Sequence, residues 1–276
     1  MPELQPYATR NGSPLYYRHY PSAAQPATAI VLLHGISEDS KYLFPYAHRI
    51  ASEGLAHVVT PDLRGYGPKA ARRGDLDYIG QLKDDLADLI THIKAQITSI
   101  KHIVMAGRSA GGGTAIRFAG SRYAEEADSY LLLAPHLGPG NPTERPADGQ
   151  RKLRMGRVVM LSMLDSFGIK RWHGLPAMEM TRRPEEMHDG MATKLSFRLL
   201  LSRSPMKYRR DLAKLTKPTL VLVGAEDEVF YEDRYKPLLG AYTKARVQIV
   251  EGATHDGLLA SSPALEYTDS WLKSFR

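Results

Sequence analysis

Short continuous apolar runs alternate with amphipathic stretches along most of this chain. Ala29–Leu33, Ile103–Ala106, Tyr130–Ala134 and Thr219–Val223 are runs of the kind expected of strands covered on both faces. His57–Thr60 and Arg246–Val250 read as further short strands, and Leu15–Tyr20 as a first one after the Asn11-Gly12 turn. Between them fall helical patterns. Tyr42–Glu53 is closed by Gly54. Tyr78–Ile97 is the clearest helix, with Ile79, Leu82, Leu86, Ile90, Ile93 and Ile97 on one stripe and Lys83, Asp84, Asp85 and Asp88 off it. Thr114–Ala124, Tyr231–Tyr242 and Pro263–Phe275 follow the same rule. Strands separated by helices pair in parallel, because a parallel neighbour needs a long crossover. The pattern predicts an α/β protein with a mostly parallel central sheet flanked by helices.

The alternation stops at Pro135 and resumes near residue 211. Residues 136–210 hold no strand-like run of comparable strength, and they carry 8 of the 10 methionines. Pro139, Gly140, Pro142, Pro146 and Gly149 mark 136–150 as the loop leading in. The division that follows is a core of 1–135 and 211–276 with an inserted, mainly helical lid at 136–210. Charge sharpens that division. The lid has 15 Lys and Arg against 7 Asp and Glu, a balance of +8 in a chain whose net charge is +7, so the remainder carries −1. A basic face of this kind suits an anionic membrane surface or an acidic substrate, or is simply solvated. Transient contact with a membrane surface through the lid is therefore an expectation. No zinc-finger spacing or aromatic RNA-binding motif accompanies the basic residues, so nucleic acid is not expected. The chain has no cysteine, which excludes disulfides and thiolate chemistry. The first twenty residues lack the apolar core of a signal peptide, and no run is long enough to span a bilayer. A cytoplasmic protein is the reading.

Chemistry concentrates where the strands end, which is where open parallel sheets bind ligands. Ile103–Ala106 runs into Gly107-Arg108-Ser109-Ala110-Gly111, a G-x-S-x-G between a strand and a helix. In that setting the serine sits on a sharp turn with its Oγ pushed outward. A serine hydroxyl is a weak nucleophile unless a base takes its proton and a carboxylate orients the base. Two late strands end suitably. One leads to Gly224-Ala225-Glu226-Asp227, the other to Glu251-Gly252-Ala253-Thr254-His255. Ser109, Asp227 and His255 are the candidate nucleophile, orienting acid and base. Asp227 lies between Glu226 and Glu228, so its register needs a structure. The backbone N–H groups of Ala110, after the nucleophile, and Ile36, in the loop after an early strand, are the candidate oxyanion donors. His34 reads as packing for that loop, since no cluster near it has metal-ligand spacing. No cofactor or metal is called for.

The blocks LLHGIS (32–37), TPDLRGYG (60–67), AGRSAGG (106–112), VGAEDEVF (223–230) and EGATHDG (251–257) together resemble the α/β-hydrolase superfamily. More narrowly they resemble its lysophospholipase and monoacylglycerol-lipase-like members, grouped with serine aminopeptidase S33. The resemblance covers nearly all of the chain outside 136–210. It implies the α/β-hydrolase fold and an esterase or lipase working on a small-molecule ester with an acyl chain. Arg108 stands where these lipases more often carry histidine, and Pro68-Lys69 follows Gly67 in place of a small residue. A peptidase, amidase or thioesterase would use the same triad, and a non-catalytic binding protein on this fold would not need it. In the esterase reading the lid's Met and Leu side chains, Met160, Met163 and Met191 among them, line the acyl pocket while its basic residues face outward.

Overall fold

The computed structural model describes residues 1–146, 149 and 151–275. The chain opens with β1 (Gln5–Ala8), β2 (Pro14–Tyr20) and β3 (Thr28–Leu33), then α1 (Phe44–Ser52), β4 (His57–Asp62), α2 (Gln81–Gln96) and β5 (His102–Arg108). α3 (Ala110–Ala119) and β6 (Ser129–Leu133) follow. Next come β7 (Arg151–Leu153), α4 (Met155–Ser166), β8 (Pro176–Met180), β9 (Lys194–Ser196), α5 (Phe197–Arg203) and α6 (Tyr208–Leu212). The last elements are β10 (Thr219–Gly224), α7 (Tyr235–Tyr242), β11 (Arg246–Val250) and α8 (Ser262–Lys273).

An eight-stranded sheet in the order β1-β2-β4-β3-β5-β6-β10-β11 forms the centre. From β4 to β11 neighbouring strands are parallel, and β2 joins β4, and β1 joins β2, antiparallel. The mostly parallel, helix-flanked sheet expected from the alternation is therefore present. The apolar runs that predicted it are buried over their whole length in β5, β6 and β10. Leu33 is in register with Gly107, Arg108 with Leu133, and Gly224 with Val250. This alignment brings the carboxyl ends of β3, β5, β6, β10 and β11 to one rim. α1 packs against α8, and α2 against α3.

Several local expectations change. α3 begins at Ala110, four residues before the expected Thr114, although glycine is a poor helix former. Packing explains it. A Cβ on Gly111 would lie 2.3 Å from the Leu33 carbonyl oxygen, and one on Gly112 would lie 2.6 Å from Pro135. The bare backbone is what lets the helix start against the strand ends. Asp85, assigned to the polar side of α2, is buried and paired with Arg64 of the 60–67 block at 2.7 Å.

Where a mainly helical lid was expected at 136–210, residues 151–212 hold α4, α5 and α6 together with a small antiparallel sheet of β7, β8 and β9 that the pattern did not predict. These strands are three to five residues long. They are too brief to leave a period in the sequence. The expected loop 136–150 includes residues 147, 148 and 150, which lie outside the described residues. The segment is buried partly against the main core and partly against itself. Met178, Met180, Leu195 and Leu199 join the main core, while Val158, Leu161, Ala177 and Phe197 form a small satellite cluster. The placement of the methionines corrects the expectation for Met160 and Met163. Both are exposed on α4, and of the three named only Met191 is buried.

Candidate active site

Ser109 occupies the single residue between β5 and α3, with φ +53° and ψ −119°. A side chain in that conformation is strained, and the strain persists because the surroundings over-determine it. The Ser109 N–H donates to Leu133 O at 2.9 Å, and its carbonyl accepts from the N–H of Gly113 and of His136. A Cβ on Gly107 would come within 2.3 Å of the Gly111 backbone. Both flanking glycines of the motif are thus required by close backbone approach.

β10 and β11 deliver the partners. Asp227 follows β10 and is fully buried. Its Oδ1 accepts from the N–H of Val229 and of Phe230, at 2.9 and 2.8 Å. Its Oδ2 meets His255 Nδ1 at 2.8 Å. His255 Nε2 in turn lies 3.2 Å from Ser109 Oγ. The structure brings the three sequence-predicted side chains together and resolves the acidic run. Glu226 is exposed, and Glu228 accepts from the His255 backbone N–H at 2.9 Å. Arg145 holds the acid's loop from outside, with Nε donating to the carbonyls of Asp227 and Phe230.

The loop after β3 passes beside the serine. A Cβ on Gly35 would sit 3.8 Å from Ser109 Cβ and 3.0 Å from the Arg108 guanidinium, so glycine keeps this approach open. The Ile36 N–H donates to no acceptor among the described residues. Ala110 is the first residue of α3, where backbone N–H groups lack intrahelical acceptors. His34 acts as expected of a packing residue. Its Nε2 accepts from Leu63 N–H at 3.2 Å, so Nδ1 carries the proton and donates to the Gly35 carbonyl at 2.9 Å. Burial, reinforced by the Arg203 charge, holds its pKa well below the usual histidine value and keeps it neutral.

Three features escaped the sequence. Arg203 of α5 is 1% exposed, donates to the carbonyls of His34 and Gly35 at 2.6 and 3.2 Å, and stacks over the Tyr66 ring. Its hydrogen bonds among the described residues go to carbonyls and to no carboxylate. Its charge is spent on the two carbonyls and the ring, and so on the shape of the loop that ends at Ile36. Segment 182–192 rests on the same loop and on the loop after β4. Arg182 and His188 reach Glu38 at 3.4 and 3.5 Å, Ala192 N–H donates to Ser37 O, and Gly67 N–H donates to Gly190 O. The third feature is Arg108. Its guanidinium pairs with Asp256, the neighbour of His255, and lies over the Tyr42 ring, whose hydroxyl also donates to Asp256 at 2.8 Å. Only its unusual position in the motif marked Arg108 beforehand. Nothing in the sequence links it to Tyr42 or Asp256.

These charges act on His255. Burial comes first, and the nearby Arg108 cation second, in pushing the His255 pKa below its ordinary value, against the opposing pull of Asp227 and Asp256. A histidine works as a base only while neutral, which is above its pKa. The acid limb of kcat/KM should therefore fall below about 6.5, the unperturbed histidine value. Arg108→Gln removes a cation and should move that limb to higher pH, with the plateau rate kept. A pH profile of kcat/KM for the two proteins checks both points. A limb that does not move in the variant would show that Arg108 has no electrostatic hold on His255.

The arrangement is a hydroxyl, an imidazole and a carboxylate in hydrogen-bonded series, with the first turn of α3 and the loop after β3 beside the hydroxyl. The model of a family described as serine aminopeptidase, S33, matches residues 24–261. The AB hydrolase superfamily protein YisY of Bacillus subtilis (strain 168) is 27% identical over 219 residues, covering 76% of this chain and 78% of its own length. Among solved structures, a soluble variant of monoglyceride lipase from Saccharomyces cerevisiae superposes with a TM-score of 0.67 at 18% identity, covering 99% of this chain and 94% of that one. An esterase from Exiguobacterium antarcticum gives a TM-score of 0.61 at 18% identity, over 100% and 98%. At such identities the two structures show a shared fold.

Proposed function

Because the chain belongs to the serine aminopeptidase S33 family of α/β hydrolases, we propose that it hydrolyses carboxylic esters through an acyl-enzyme on Ser109. The observation that carries this reading is the unbroken series Ser109 Oγ, His255, Asp227, with contacts of 3.2 and 2.8 Å, on a serine held at positive φ. His255 Nε2 takes the Ser109 proton as Oγ attacks the ester carbonyl. The N–H groups of Ile36 and Ala110 receive the oxyanion, each worth about 10²–10³ in rate where such donors have been removed. His255 then protonates the leaving alcohol, and water repeats the sequence to release the acid. Asp227, fixed by two backbone N–H groups, holds His255 in the Nδ1–H tautomer and steadies the imidazolium.

In this reading residues 136–210 are the lid over the strand ends. The contacts from Arg203, Ala192 and Gly190 to the loops after β3 and β4 support that role. Met191 is buried and next to Ala192, whose N–H bonds the loop after β3, and this supports giving it, of the three methionines, the acyl-facing role. Labelling by a fluorophosphonate, lost in Ser109→Ala, followed by rates on aryl esters from acetate to palmitate, glycerol esters, lysophospholipids and aminoacyl anilides, tests the proposal. The expected result is labelling together with faster turnover of esters than of anilides. Preferred turnover of aminoacyl anilides would move the reading to a peptidase, and absence of labelling would remove the acyl-enzyme.

A further inference from the structure

α4 has two apolar faces. Val158 and Leu161 point inward onto Ala177 and Phe197. The opposite side carries Met155, Val159 and Met163, spaced four apart on one stripe, with Met160 beside them. Phe167, Ile169 and Trp172, between α4 and β8, are large apolar side chains that are exposed as well. Met163 is 60% exposed and Phe167 78%. A helix apolar on both sides is normally buried. This one leaves its outer side uncovered, and contiguous exposed apolar surface marks an interaction site.

The rim of the patch indicates what covers it. Residues 151–172 include six Lys and Arg (Arg151, Lys152, Arg154, Arg157, Lys170 and Arg171) and one acid, Asp165, a balance of +5. Asp165 faces His173 at 3.3 Å, while Lys152, Lys170 and Arg171 are exposed and make no ion pair among the described residues. Arg151 and Arg154 pair with Glu144 and Glu179, so a two-fold contact between copies of this chain would set Lys152, Lys170 and Arg171 against the same three cations, which like-charge repulsion opposes. An anionic bilayer meets both properties at once, accepting Met, Phe and Trp into its boundary while the long cationic side chains reach phosphate and carboxylate headgroups.

We propose that α4 with residues 151–172 is a docking face for an anionic lipid surface. Here the methionines and Phe167 serve the membrane, and among the described residues no hydrogen bond or ion pair joins residues 151–172 to Ser109, Asp227 or His255, so docking does not depend on the chemistry assigned to Ser109. No helix among the described residues is long and apolar enough to cross a membrane, and the contact is a peripheral one.

The test uses the full chain with vesicles of phosphatidylcholine alone or mixed with phosphatidylserine, read by co-sedimentation. Trp172 is exposed and Trp271 buried, so a blue shift of tryptophan emission reports Trp172 entering the interface. The expected result is binding to the mixed vesicles that weakens as salt is raised, with the same affinity in Ser109→Ala. The double variant Met163→Glu/Phe167→Glu should bind at least about 10-fold more weakly, since each replaced side chain carries a large apolar area. Lys170→Gln/Arg171→Gln should lose affinity for the mixed vesicles only. All four positions are exposed, and circular dichroism with thermal melting verifies that the variants fold. Failure to bind the mixed vesicles, or equal binding to both kinds, would overturn the proposal. A concentration-dependent dimer in light scattering, abolished by the Met163/Phe167 variant and without vesicle binding, would overturn it in favour of a second copy.

Discussion

A Ser109→Ala chain should lose ester hydrolysis by about 10⁶-fold in kcat, the loss seen when a triad nucleophile is removed from a well-studied serine protease, while folding as before. The side-chain hydroxyl's partner is His255 Nε2, at 3.2 Å. Its removal costs one partly formed hydrogen bond and leaves no buried charge behind. Alanine keeps the Cβ and with it the same strain at φ +53°, so the melting temperature should stay close to that of the parent. Ser109→Gly should be equally inactive and melt higher, because glycine takes a positive φ without steric cost. Burst-free, near-zero ester hydrolysis beside an unchanged circular dichroism spectrum is the outcome to look for. Parent-like turnover by folded Ser109→Ala would sink the acyl-enzyme mechanism.

Which parts were readable from the sequence follows from how each part is stabilised. β3, β5, β6 and β10 are covered on both faces, and burial on both faces demands an unbroken apolar run, which is visible without a structure. β1 and β7–β9 are short and partly exposed, and their pairing comes from backbone hydrogen bonds that leave no trace in residue type. The start of α3 was hidden because its glycines argue against helix by propensity, while the packing of Gly111 and Gly112 against Leu33 and Pro135 requires them. The site divides in the same way. Ser109, Asp227 and His255 stand at strand ends, so strand positions alone bring them to one rim. Arg108, Tyr42 and Asp256 meet through side-chain reach from three separate loops and strands. Arg203 arrives from an element whose docking the sequence does not reveal. The methionines of α4 were misplaced for a related reason: an apolar residue on a helix says that it avoids water, and leaves open whether protein or lipid replaces the water.

Asp227→Asn should lower kcat by about 10⁴-fold, as the corresponding change does in serine proteases, and the hydrogen-bond pattern here says why. Oδ1 accepts from two backbone N–H groups, those of Val229 and Phe230. An asparagine must turn its carbonyl oxygen toward these donors, because an amide NH₂ there would face two N–H groups. The NH₂ then occupies the place of Oδ2, 2.8 Å from His255 Nδ1. It can only donate, so Nδ1 becomes an acceptor and the ring proton moves to Nε2. Nε2–H now points at Ser109 Oγ and cannot take its proton. The negative charge that steadied the imidazolium is lost in the same change. Glu226→Gln, at an exposed side chain, should leave kcat within about two-fold, and Glu228→Gln should cost little more, since an amide oxygen can still accept from the His255 backbone N–H. Steady-state kinetics on one soluble ester across the three variants separates the assignments. If Asp227→Asn stays near the parent rate while Glu226→Gln or Glu228→Gln collapses it, the acid of the triad is misassigned.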